Sequence, residues 1–210
     1  MKNILGIDTS GVTTVIGIND EIISWESIRN QSKELLPRID ELLKSQKIKP
    51  EQLKGVVVNI GPGSFTGLRV GVTIANGFGY GLKIPVKGIT EFDVVRTMYN
   101  KADWIVLDAR RGELFVQYKK TKPVLMEPAK FGKAWKKGER VYIDDYRLIP
   151  LLHDQLKDVG TIYIPNLCRE EKMAVMLTTK PPKTFKQVLP IYLRGANITL
   201  PTKSRKRVKN

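Results

Sequence analysis

One cysteine, Cys168, and one histidine, His153, occur in 210 residues. A lone cysteine excludes an internal disulfide and any cysteine-based metal cluster. A lone histidine excludes a multi-histidine metal site and offers no ground for a Ser-His or Cys-His pair. Long apolar runs are also missing. No uninterrupted apolar stretch approaches the ~20 residues needed to cross a bilayer. The opening Met1-Lys2-Asn3-Ile4-Leu5-Gly6-Ile7-Asp8 meets a charge after a few apolar residues, which does not read as a signal peptide. These absences lead to the expectation of a soluble cytoplasmic protein with no metal, no cofactor and no membrane partner.

Acidic residues are scarce too: 21 against 36 basic ones, a net charge of +15. From Lys172 onward there are ten Lys or Arg and no Asp or Glu, with Lys203, Arg205, Lys206, Arg207 and Lys209 closing the chain. Lys130, Lys133, Lys136, Lys137 and Arg140 form a second basic cluster. Such asymmetry favours a polyanion, RNA foremost, through phosphate contacts and counterion release. A merely solvated basic tail weighs about as much. No aromatic platform is interleaved with the tail, so base-specific reading is not expected.

What the chain does have is Gly61-Pro62-Gly63-Ser64-Phe65-Thr66-Gly67-Leu68-Arg69-Val70-Gly71 after the apolar run Val56 to Ile60. The order reads as strand, glycine-rich turn, helix to about Tyr80. It is not a Walker A loop, because Leu68 and Arg69 follow Gly67 where Lys-Ser/Thr belongs. A dinucleotide fingerprint fails at Thr66, where its third glycine should be. A tight turn in which Ser64 or Thr66 caps the helix is favoured over a phosphate site. Gly67, Gly71, Ala75 and Gly79 recur every four residues and form a nearly bare ridge. Each glycine costs the helix about 1 kcal/mol relative to alanine. Close approach of another backbone is the expected reason, either the lobe's own core or a partner's helix, and an exposed interface face is favoured.

Strands are expected at Ile4–Ile7, Val12–Ile18 and Glu21–Ser27, then an amphipathic helix carrying Leu35, Leu36, Ile39, Leu42 and Leu43. Ile84–Val86 reads as a short strand and Thr90 as the cap of the next helix. The pattern then restarts. Asp103–Leu107 ends at Asp108 as Ile4–Ile7 ends at Asp8, and Leu114–Tyr118, Val124–Met126, Val141–Ile143 and Ile162–Ile164 follow. Helices are expected at Arg147–Leu156 and Arg169–Leu177. Two such runs indicate a duplicated α/β unit: residues 1–100 as a first lobe, 101–200 as a smaller second lobe, and 201–210 as a basic disordered tail.

Ile7-Asp8-Thr9-Ser10, the glycine-rich run 61–71, Asp108-Ala109-Arg110-Arg111-Gly112-Glu113 and Pro190-Ile191-Tyr192-Leu193-Arg194 together resemble the TsaB family, formerly YeaZ, a relative of the Gcp-like TsaD proteins. The resemblance is convincing over residues 1–120, weak to 189 and absent in the tail. It implies the actin-like, sugar-kinase and heat-shock-chaperone ATPase superfold, with two duplicated ribonuclease-H-like lobes. It implies a non-catalytic subunit that binds TsaD for threonylcarbamoyladenosine formation in tRNAs reading ANN codons, with TsaE as a further ATPase. A homodimer when the chain is alone and tRNA contact through basic surface are both left open.

In this superfold nucleotide and metal sit between two acidic turns, here Asp8, Thr9 and Ser10 facing Asp108. The turn Ala109-Arg110-Arg111-Gly112 is poor in the glycine that a phosphate loop needs. The resemblance places a partner interface on the helices 32–45 and 67–80, with Leu35, Leu36, Ile39, Gly67, Gly71, Ala75, Phe78 and Gly79 as its residues. Gln31 stands where many relatives carry histidine. A stand-alone ATPase or phosphotransferase is the alternative, and a tRNA-binding module driven by the tail could coexist with the first reading.

Overall fold

The computed structural model describes residues 3–28, 30–143, 145–152, 162–163 and 168–193. The basic residues Lys203, Arg205, Lys206, Arg207 and Lys209 lie outside them. The first half runs β1 (Ile4–Asp8), β2 (Thr13–Ile18), β3 (Glu21–Glu26), α1 (Gln31–Ser45), β4 (Gly55–Gly61), α2 (Phe65–Leu82), β5 (Val86–Thr90) and α3 (Glu91–Met98). The second half runs β6 (Trp104–Asp108), β7 (Leu114–Tyr118), β8 (Val124–Met126), α4 (Pro128–Ala134), β9 (Val141–Ile143), α5 (Ile149–Leu152), β10 (Ile162–Tyr163) and α6 (Arg169–Thr178).

The first sheet is ordered β3-β2-β1-β4-β5 and the second β8-β7-β6-β9-β10. In each, the first three strands pair antiparallel and the last two join in parallel, so the halves match strand for strand. This repeated plan is the actin-like pair of ribonuclease-H-like lobes. Strands β1 and β4 are almost wholly buried, which is why they read as unbroken apolar runs and not as alternating ones.

Leu35, Ile39, Leu42 and Leu43 of α1 pack with Val72 and Ala75 of α2 on one face of the first sheet. Fully burying such a side chain contributes about 1.5–3 kcal/mol. The other face is covered by α6, whose Met173 and Met176 join Ile4, Val15 and Val57. Gly6 and Gly17 sit opposite each other on β1 and β2. Side chains there would collide with Met173 and Leu177, so the two glycines admit α6 against the strands. Conversely, Phe92 and Val95 of α3 pack with Ile105, Leu107 and Tyr142 of the second sheet. Helix α6 therefore crosses to the first sheet, and α3 lies between the two sheets, its Val94 joining Ile4, Val15 and Val57 of the first. The second sheet falls within residues 101–200, whereas α6 and the stretch near Phe185 and Val188 pack on the first.

Several local features differ from expectation. Strand β5 begins at Val86, because Pro85 has no N–H and spends its carbonyl on Val56 N (2.9 Å). Helix α4, opened by Pro128 at its first position, falls where the sequence was read only for charge. The helix expected at Arg147–Leu156 is a 3-10 turn, Tyr146–Leu148, followed by α5 over the described part. Thr90 does cap α3, its hydroxyl accepting from Asp93 N at 3.0 Å while Asp93 reaches back to Thr90 N. Among the described residues no helix is long and apolar enough to cross a membrane, and no cluster of His, Cys, Asp and Glu could hold a metal.

Candidate functional site

The carboxyl ends of β1 and β6 face one cleft of about 1000 Å³ between the lobes. Both strands end in the same device: Asp8 Oδ1 accepts from Ser10 N at 2.9 Å, and Asp108 Oδ1 accepts from Arg110 N at 2.7 Å. The sequence therefore paired the acidic turns correctly as structural equivalents. Their surroundings differ. Asp8 is buried, and its Oδ2 accepts from Arg169 Nη1 at 3.2 Å; the same nitrogen lies 3.1 Å from Ser10 Oγ. Any side chain at Gly11 would strike the Arg169 guanidinium, so the glycine makes the passage. Asp108 carries its own arginine, with Arg110 Nε 3.6 Å from Oδ2.

Below Asp8 the polar layer continues. Glu91 at the start of α3 accepts from Asn59 Nδ2 (2.8 Å) and from Lys172 Nζ, all three side chains being buried. Arg169 and Lys172 stand three residues apart on α6 and face the same way. Across the cleft, Arg110 and Arg111 occupy left-handed backbone at φ 63° and 56°, followed by Gly112 at 74°. Two consecutive non-glycine residues there are uncommon. Asp145 pairs with Arg147 on the same lip, and that hydrogen bond holds its carboxyl below the usual range. Sequence reasoning missed Asn59, Glu91, Arg169 and Lys172. The only signal was Arg169 and Lys172 at i, i+3 in an otherwise acidic helix start, with partners far away in the chain.

The glycine-rich run builds the near wall. Ser64 caps α2, its Oγ accepting from Gly67 N at 3.2 Å, and Ser64 N donates to Ser10 O at 2.7 Å. Thr9 Oγ1 donates to Gly67 O at 2.7 Å. A Cβ at Gly63 would lie 2.5 Å from Ser10 O, at Gly67 2.0 Å from Thr9 O, and at Gly71 2.3 Å from Thr9 Oγ1. The glycines let α2 rest directly on the Asp8 turn. Gln31, buried at the start of α1, binds the turn from the other side through Nε2 to Gly11 O (2.9 Å) and Thr14 Oγ1 (3.2 Å).

This placement corrects the expected interface. Gly67, Gly71, Ala75 and Gly79 face inward: the first two meet Thr9, Ala75 is fully buried, and Gly79 abuts Val86 and Phe185. Leu35 and Ile39 lie in the same core, and Phe78 is half-buried against it. Only Leu36 of the set is exposed, at 50%. The ridge is bare because the chain's own Thr9, Val86 and Phe185 press on it. On the opposite face of α2, Thr73, Gly77, Tyr80 and Gly81 are exposed, and a Cβ at Gly77 or Gly81 would meet nothing within 4 Å.

The late Pro190-Ile191-Tyr192 segment returns across the cleft mouth. Ile191 N donates to Ile60 O at 2.8 Å, and Tyr192 packs at a tilt against Phe65 with centroids 4.7 Å apart while its hydroxyl accepts from Arg69 Nε. All four sequence motifs thus gather around one cleft.

The family model described as tRNA N6-adenosine threonylcarbamoyltransferase, TsaD, matches residues 21–175. The tRNA threonylcarbamoyladenosine biosynthesis protein TsaB of Bacillus subtilis is 33% identical over 127 residues, 55% of this chain and 56% of that protein. Its Haemophilus influenzae namesake is 30% identical over 140 residues, 63% and 59% of the two chains. The chain belongs to the TsaB family. YeaZ from Pseudomonas aeruginosa shares the fold, with a TM-score of 0.66 at 17% identity over 92% of this chain and 100% of that one. The aligned part of this TsaB-family chain spans a little over half the length of the curated relatives it matches.

Proposed function

We propose that this chain is a non-catalytic scaffold that binds a TsaD-type partner for threonylcarbamoyladenosine formation in tRNAs reading ANN codons. One observation carries the reading: both carboxylates where an actin-like ATPase would hold metal and phosphates are occupied by the chain's own arginines, Asp8 by Arg169 and Asp108 by Arg110. An arginine guanidinium stays protonated and supplies only donors. Converting such a turn into a metal site would require withdrawing Arg169 and stranding a buried anion. Thr9, meanwhile, gives its hydroxyl to the start of α2.

The partner surface lies on the outer faces of α1 and α2. Leu36 and Tyr80 supply apolar area, and Thr73, Gly77 and Gly81 give a second small-residue stripe over which another helix could pass closely. A TsaE-type ATPase joins that complex, and the same surface serves a homodimer when the chain is alone. The test is reconstitution. The purified chain should co-elute with a TsaD-type protein and restore threonylcarbamoylation of tRNA, and calorimetry with ATP and magnesium should give no binding heat for the chain alone. Tight ATP binding lost in Asp8→Asn, with no co-elution, would establish a stand-alone ATPase instead.

A further inference from the structure

We propose that the end of the second sheet remote from the cleft is an RNA-backbone contact surface, a reading that rests on the proposed role in tRNA modification and gives the RNA a place on this chain. Trp104 of β6 pairs with Tyr118 of β7 and with Val141 of β9, so the loops before β6, after β7 and before β9 emerge at one end. Backbone bonds tie the three together: Asp103 N donates to Arg140 O at 2.8 Å and Lys119 N to Asp103 O at 2.6 Å. They bring Lys101, Lys119, Lys120, Lys122, Lys136 and Lys137, all exposed, onto one surface. The sequence alone grouped the last two with Lys130, Lys133 and Arg140; the sheet register adds the other four.

The two carboxylates of this end are turned inward and engaged. Asp103 Oδ2 accepts from Arg140 N at 2.9 Å and lies 3.5 Å from Arg140 Nε; the first of these bonds holds its carboxyl below the ordinary range. Burial pushes Glu139 up, but hydrogen bonds from Lys136 N and Trp104 Nε1 outweigh it and keep the group low. Both stay ionised at neutral pH and are spent on anchoring the loops. The outward field is left to the ammonium groups.

Phosphates fit this arrangement better than a lipid surface does. Membrane association adds apolar insertion to charge, and the exposed positions of these loops are Asn100, Lys101, Lys119 to Lys122 and Lys136 to Gly138, with Val124 at the start of β8 as a single exposed apolar neighbour. A row of lysines with little aromatic company grips backbone without reading bases.

The experiment uses the full chain and an unmodified tRNA transcript, with affinity followed by fluorescence anisotropy across salt concentrations. Lys120, Lys122, Lys136 and Lys137 are replaced together by alanine; Lys119 is spared because its φ of 45° suits few side chains. Each lost phosphate contact lowers the salt slope by roughly 0.7–0.9. The variant should therefore lose about three units of slope and at least tenfold in affinity near physiological salt. A control replacing Lys54, Lys87, Lys180 and Lys186 on the first lobe, with the same loss of charge, should stay within about twofold. Equal losses in both variants, binding unchanged in the first, or preferential binding to phosphatidylserine vesicles over tRNA would each overturn the proposal. Co-elution with a TsaD-type protein should survive in both variants. Its loss in the wild-type chain would sink the scaffold reading while leaving the RNA measurement to stand by itself.

Discussion

Arg169 Nη1 reaches Asp8 Oδ2 at 3.2 Å across 161 residues of sequence, and Asp8 is buried to 1% while Arg169 keeps about a third of its side chain exposed, at 32%. The two members of the pair are therefore unequal. Removing the arginine strands a buried anion; removing the anion leaves a cation that can turn to water. Breaking a fully buried pair costs about 3–5 kcal/mol, and the exposure of Arg169 reduces that to about 2 kcal/mol, or ~4–8 °C in Tm for a chain of this size. Arg169→Ala should lower Tm by that amount and Asp8→Asn by clearly less, as calorimetry of the two variants and their double would measure. Equal effects would show that the pair is screened from the start.

The two faces of α2 should respond oppositely to the same chemical change. Gly71→Ala drives a methyl toward Thr9 Oγ1, held by its bond to Gly67 O, and overpacking of this kind costs about 1–3 kcal/mol. Gly77→Ala meets open space and should stabilise the helix by about 0.5–1 kcal/mol. Urea denaturation separates them by sign. Gly77→Leu should fold normally yet lose co-elution with a TsaD-type partner.

That contrast marks where the sequence stopped being readable. The succession of strands along the chain, the paired turns at Asp8 and Asp108 and the Thr90 cap were all visible, because each leaves a local or repeated trace. The glycine helix was visible too, but it carries two small stripes, 67-71-75-79 and 73-77-81, and helical spacing cannot say which one faces home. The choice was made by the Thr9 carbonyl, a neighbour set by the β1–β4 pairing. Arg169, Lys172, Glu91 and Asn59 stayed hidden for a similar reason: each looks ordinary in its own segment, and only the packing of α6 on the first half brings them together. Gln31 was noticed as a departure, and its role appears only once Gly11 and Thr14 lie beside it.

Gln31→Leu keeps the size of the side chain and removes its donors, leaving Gly11 O and Thr14 Oγ1 without that partner. An unsatisfied buried acceptor costs about 1–3 kcal/mol. A loss of stability in this range is expected by urea denaturation, with slower exchange-protected amides of α1 becoming faster in hydrogen exchange. No change in either would mean that water takes over both acceptors.

Asp103 should make the second sheet sensitive to acid. Its carboxyl is depressed in the folded chain, first by the Arg140 N–H. The stability it adds is fully present above the unfolded value near pH 4 and is lost as pH falls through the lower folded value. Asp103→Asn should therefore be less stable than wild type at neutral pH, and the gap should close as the pH drops below about 4. Denaturation midpoints from pH 7 to pH 3 test this; a gap that widens on acidification would have the wrong sign.

The reach of α6 across to the first sheet also sets an order of events during synthesis. All five strands of the first sheet are synthesised by Thr90, yet Gly6 and Gly17 lack their lid until Met173 and Leu177 are made. Over the stretch of synthesis between those points, the face of this lobe that carries the two glycines lacks its cover. A chain halted near Tyr163 would lack α6 altogether and leave that face of the first sheet open.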